Sequence, residues 1–135
     1  MNQIKRVLLK ESDRVTHTAA LFGFHWASRL EPCVYAMADS LSADYRGGYW
    51  DFYSLSNNSF YMAPHGDDRY HVVCENGFEG ELSPDAFGMT VCLYTYSRLS
   101  FSRMLIADLC AGQYHRLREF ALEHAEVEDI LGATD

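Results

Sequence analysis

The run from Asp44 to Pro64 constrains the fold of this chain more than any other stretch, because it reads as a hairpin at every position. Gly47-Gly48 frees the backbone from what precedes it. Tyr49 to Leu55 is an aromatic-rich segment suited to a pleated, half-buried surface. As a strand it places Trp50, Phe52 and Ser54 on one face and Tyr49, Asp51, Tyr53 and Leu55 on the other. Ser56-Asn57-Asn58-Ser59 is turn chemistry, since Asn tolerates positive φ and bonds its own backbone. Phe60 to Ala63 returns as a second strand, and Pro64 stops it or sets it at an edge.

A second hairpin follows. Arg69 to Glu75 alternates, with Tyr70, Val72 and Cys74 on one side; Asn76-Gly77 is a strong turn signal. Phe78 to Leu82 returns with Phe78, Gly80 and Leu82 inward. The two hairpins predict four short strands in one antiparallel meander.

Helices flank this sheet. Ser12 or Asp13 is a cap for a helix to about Phe22, with Val15, Ala19 and Phe22 on its inner face and Gly23 ending it. Phe24-His25-Trp26 reads as a connector, and Glu31-Pro32 opens a helix with Val34, Met37, Ala38 and Leu41 at helical spacing, ending before Gly47. Ser83-Pro84-Asp85 starts a helix to about Leu99 that is apolar nearly all round, hence the central core helix. Another runs from near Arg103 to about His124, with Ile106, Cys110, Gln113, Leu117 and Phe120 inward, and Glu126 to Leu131 forms a last short helix. The expectation is a single α+β domain over residues 1–135, a small antiparallel sheet of about four short strands packed against several α-helices.

Composition removes several functions. With 48% apolar and 22% charged residues the chain is an ordinary globular one, and no apolar run approaches the ~20 residues that span a bilayer. Met1 to Lys10 lacks the length and cleavage site of a signal peptide, so a cytoplasmic location is expected. Cys33, Cys74, Cys92 and Cys110 have no paired spacing and read as buried hydrophobes in a reducing compartment. Residues before Glu31 are mildly basic, through Lys5, Arg6, Lys10, Arg14 and Arg29, but the whole carries a net charge of -8. That sign disfavours direct DNA binding. It also falls short of DNA mimicry, which over ~35 Å needs about twenty negative charges at one per ~1.7 Å.

Candidate chemistry is thin. His65, Asp67, Asp68 and His71 form the most site-like cluster and support an alternative reading as a small metal-dependent hydrolase or nuclease, although Gly66-Asp67-Asp68 is equally ordinary turn chemistry. Asp44 and Asp51 flank the double glycine as a conceivable acid/base pair, more simply a helix-end and a strand-face carboxylate. Gly47-Gly48 lacks the following Lys-Ser/Thr of a phosphate loop. No catalytic residue, metal or cofactor is expected. The outward aromatic and Asn residues of the first hairpin, Tyr49, Tyr53, Asn57 and Asn58, are the candidate partner-binding residues, against the plainer view that they build sheet and turn.

Leu30-Glu31-Pro32, Ala43-Asp44-Tyr45, Gly47-Gly48, Trp50, Phe52-Tyr53, Leu55-Ser56-Asn57, Phe60 and Met62-Ala63-Pro64, with Tyr114 to Leu122 near the end, resemble the ArdB/KlcA antirestriction proteins. The resemblance covers roughly residues 30–131 in order, and the N-terminal thirty or so residues of the chain match less well. It implies an α+β cytoplasmic protein carried by plasmids or other mobile elements, which protects incoming DNA from type I restriction-modification enzymes. It further implies a non-enzyme that is not a heavily acidic DNA mimic. The partner expected is the type I restriction-modification enzyme, reached directly or through a host factor.

Overall fold

The computed structural model describes residues 3–103 and 105–135. In chain order the elements are β1 (Arg6–Leu8), α1 (Glu11–Phe22), α2 (Glu31–Leu41), β2 (Trp50–Leu55), β3 (Phe60–Pro64), β4 (Tyr70–Val73), β5 (Glu79–Leu82), α3 (Pro84–Ser100), α4 (Ile106–Ala121) and α5 (Val127–Thr134). A π-helical turn, Trp26–Leu30, leads into α2. The α+β class is as expected. The strands, however, form two sheets rather than one meander: β1-β2-β3 and a separate β4-β5 hairpin, all antiparallel. Met1 and Asn2, the start of the segment read as unlike a signal peptide, lie outside the described residues.

Helix α3 is the axis of the core. Ser83 caps it by accepting from the Ala86 N–H at 3.2 Å, Pro84 takes the first turn, and every residue from Ala86 to Leu93 is buried. A helix enclosed on all sides cannot show an amphipathic stripe. Its tightest contact is at Gly88, where an added Cβ would come within 2.4 Å of Ala63 Cα and Met62 O. Only glycine lets α3 lie this close to β3.

Helix α2 buries Val34, Met37, Ala38 and Leu41, the expected face. Helix α1 ends at Gly23, φ 59°, also as expected, but its inner face is different. Thr18 and Phe22 are buried whereas Val15 is 79% exposed. Thr18 satisfies its hydroxyl locally, donating to Arg14 O at 2.8 Å, so it enters the interior without an outside partner. Phe22 then joins an aromatic cluster with Trp26, Phe60 and Tyr96.

Both hairpin loops use the same geometry. Leu55 N–H donates to Ser59 O and Asn58 N–H to Leu55 O, with Asn58 at φ 67°. Cys74 N–H donates to Phe78 O and Gly77 N–H to Cys74 O, with Gly77 at φ 95°. One left-handed residue before the returning strand is the three-residue hairpin loop, longer than the two-residue Asn-Gly turn. Tyr70, Val72, Cys74 and Leu82 face the core as the alternation predicts.

Candidate contact surface of the hairpin

The four candidate contact residues pack against different parts of the molecule. Tyr49 is 49% exposed and lies against α1. Its hydroxyl donates to Glu11 Oε1 at 2.6 Å and accepts from Arg14 Nη2 at 2.9 Å. Arg14 also donates to Trp50 O at 2.9 Å, and its guanidinium stands 4.2 Å from the Phe52 ring centroid. These residues border a groove of about 500 Å³ with Trp26, Tyr35 and Trp50 in its lining. Tyr53 is half-buried, stacked on Tyr61 at 5.1 Å with the Arg6 guanidinium 4.3 Å above its ring.

Asn57 and Asn58 form the turn and its mooring. Asn57 Nδ2 donates to Arg116 O at 2.9 Å, and its Oδ1 accepts from Ser59 N–H at 3.2 Å. The Asn58 carbonyl accepts from Gln113 Nε2 at 3.0 Å, while its side chain faces solvent. Gln113, buried on α4, completes the attachment: its Oε1 accepts from Ser59 Oγ and Phe60 N–H, each at 3.1 Å. A buried amide with all these bonds made is a strong positional lock. Sequence spacing placed Gln113 inward but carried no sign of its partners, which lie more than fifty residues away.

The alternative cluster does not assemble. His65 Nδ1 bonds Asp51 Oδ2 at 3.0 Å, and His71 Nε2 bonds Glu79 Oε2 at 2.9 Å. Asp67 and Asp68 are exposed, and among the described residues no three His, Cys, Asp or Glu side chains converge to hold a metal ion. Cross-strand pairing decides this. His71 stands opposite Glu81 in β4-β5 and reaches diagonally to Glu79, away from His65. Nor do Asp44 and Asp51 act as a pair: Asp44 accepts the His71 N–H at 2.9 Å, and Asp51 is taken by His65.

The densest polar network is one that no sequence motif marked. Asp85, in the first turn of α3, accepts from Arg6 Nη1 at 2.9 Å and Tyr61 Oη at 2.8 Å through Oδ1, and meets His124 Nε2 at 2.9 Å through Oδ2. His124 Nδ1 accepts from the Glu126 N–H, so Nε2 carries the proton that points at Asp85. Burial opposes ionisation of Asp85, but the bonds from His124 and Tyr61 and the Arg6 charge outweigh it and hold its carboxyl below the usual range. Burial, the nearby Asp85 charge and hydrogen bonding to Asp85 raise the Tyr61 hydroxyl, with Arg6 opposing. Glu126 in turn accepts from Ser83 N–H at 3.0 Å and from Ser83 Oγ. The network ties β1, β3, α3 and the α4–α5 corner together; every proton-bearing group in it already has a partner.

The arrangement is thus that of an α+β protein whose polar side chains bind its own elements to each other. A family model described as antirestriction protein matches residues 43–135. Antirestriction protein KlcA of Escherichia coli is 40% identical over 130 residues, spanning 93% of this chain and 89% of that protein. Putative antirestriction protein YubI of Escherichia coli K12 is 33% identical over 135 residues, spanning 94% and 93%. A solved structure of the KlcA and ArdB proteins superposes with a TM-score of 0.90 at 36% identity over the whole of both chains. Those proteins are described as having a novel fold and antirestriction activity against Type I DNA restriction systems in vivo but not in vitro. The chain belongs to the antirestriction protein family.

Proposed function

We propose that this protein inhibits type I restriction-modification enzymes, protecting incoming plasmid or mobile-element DNA by protein contacts, without catalysis or DNA mimicry. The observation that carries the reading is the whole-chain likeness, at 36% identity and a TM-score of 0.90, to proteins with antirestriction activity against Type I systems. Two features of the chain support these exclusions: His65 and His71 pair with different carboxylates and do not converge, which speaks against the metal-site alternative, and its net charge of -8 is far below that of a DNA mimic. The KlcA and ArdB proteins are active in vivo but not in vitro, so a host factor is the form of contact we favour over direct capture of the enzyme. The site of action is the cytoplasm, where type I enzymes meet entering DNA; among the described residues no helix is long and apolar enough to cross a membrane.

Tyr49 and Asn58 are the members of the hairpin set with side chains open to a partner, whereas Tyr53 and Asn57 serve mainly to hold the hairpin in place. Expression in a type I restricting host raises the plating efficiency of unmodified phage. Unchanged plating against an empty-vector control overturns the reading. Adding host lysate to purified enzyme and protector then restores inhibition if a cellular component is needed.

A further inference from the structure

Among the described residues, nothing pairs with the outer edge of the three-stranded sheet at β1. In β1, Leu9 N–H donates to Phe52 O and Lys5 O accepts from Ser56 N–H, so the odd-numbered residues bond to β2. Antiparallel alternation turns the backbone N–H and C=O of Arg6 and Leu8 outward, and among the described residues none of these groups has a partner. All three residues of β1 are exposed, with Val7 at 58% and Leu8 at 57%. The segment Lys5 to Lys10 holds three cations and no acid, in a chain of net charge -8. Arg6 is bound to Asp85, but among the described residues Lys5 and Lys10 make no ion pair.

We propose that the outward edge of β1 is a docking edge, which pairs strand to strand with an extended, carboxylate-bearing segment of a partner protein. The inference rests on the reading above that the protein acts through protein contacts, and it names where one is made. Main-chain bonds to Arg6 and Leu8 supply the pairing, and flanking side chains supply the choice of partner. Carboxylates on the incoming strand meet Lys5 and Lys10; its apolar side chains cover Val7 and Leu8.

Charge decides the occupant. A second copy of β1 would crowd its own Lys5, Arg6 and Lys10 onto the same short ladder as the first three cations, and gathering like charges there is destabilising. Duplex DNA would release about two counterions at Lys5 and Lys10, too few to offset an acidic protein. Basic residues on an edge also prevent aggregation. The two apolar side chains beside them give that edge something to bind once the charge is opposite.

The test uses the full chain, nitrogen-15 labelled, with a synthetic octapeptide of alternating Val and Glu, its Val/Lys counterpart and a 20-base-pair duplex as probes. At millimolar Val/Glu peptide, hydrogen exchange at the Arg6 and Leu8 amides slows several-fold. Val7 and Leu9, already bonded inward, do not change. The double variant Lys5→Glu/Lys10→Glu reverses the preference to the Val/Lys peptide. Leu8→Pro deletes an outward N–H while sparing the ladder to β2, so it abolishes peptide binding and protection in the plating assay with an unchanged melting temperature. If Leu8→Pro unfolds, the charge-reversal variant decides alone.

No slowing at Arg6 and Leu8, equal slowing by both peptides, or a response to the duplex alone overturns the proposal. Wild type that protects with an inert edge removes this inference and leaves the function standing. Wild type that fails to protect removes the function, and the exchange experiment still decides the edge.

Discussion

The two outer strands of one sheet meet opposite fates, and the contrast explains much of how this chain is built. On β3 the outward backbone groups of Phe60 and Met62 are buried and individually answered. Phe60 N–H donates to Gln113 and Phe60 O accepts from Tyr96 Oη at 2.7 Å. Met62 N–H reaches Cys92 Sγ at 3.5 Å, and that thiol donates back to Met62 O at 3.6 Å. Pro64, last on the strand, has no N–H to satisfy. On β1 the equivalent groups face water, which satisfies them and yields to a competitor. Helices α3 and α4 close one margin with side chains, and the other is left available. A buried edge needs a partner for every polar atom; an exposed one needs only protection from its own copies.

Four substitutions probe this asymmetry. The largest effect falls on the closed side: Gly88→Ala drives a methyl into the backbone of Met62 and Ala63 and costs about 3 kcal/mol in denaturant unfolding. A loss below about 1 kcal/mol would mean that α3 sits less tightly on β3 than described. Next, Gln113→Leu preserves bulk but strands Phe60 N–H and Asn58 C=O, costing about 2 kcal/mol by the same measurement.

Asp85→Asn comes third, at about 1 kcal/mol at neutral pH, because the new amide N–H₂ confronts the Nε2 proton of His124. Since the folded carboxyl titrates below its ordinary value of 3.8, its contribution is fully present above that value and fades as pH falls through the folded pKa. The variant therefore shows a shallower loss of stability on acidification below the ordinary carboxylate range. The smallest change belongs to the open side. Leu8→Pro alters stability by no more than about 0.5 kcal/mol, and a larger drop would show β1 to be structurally committed.

How far the residues foretold the fold depended on whether the signal was local. Helix α2 and the two hairpins were legible because spacing, glycine and asparagine each pointed the same way. Helix α3 was legible from its start signal and continuous apolar surface. Strand β1 was missed, since three exposed residues carry no alternation to read. The inner face of α1 was misjudged because Thr18 is polar by type and self-satisfied in place. One sheet was expected where two exist: hairpins announce their own turns, but nothing local says whether neighbouring hairpins share an edge. The Asp85 network was invisible for a related reason, as Arg6 and His124 lie 79 and 39 residues away. Tyr49 and Asn57 were singled out by composition; their partners on α1 and α4 emerged only from packing.

Cys92 has a further use. Burial pushes its thiol up to about 12, against the opposing influence of the Met62 N–H that donates to it, and the sulfur is sealed between helix and strand. An alkylating reagent meets it only in molecules whose α3 has lifted from the sheet. Its labelling rate is therefore a clock for whole-core opening that needs no engineered probe.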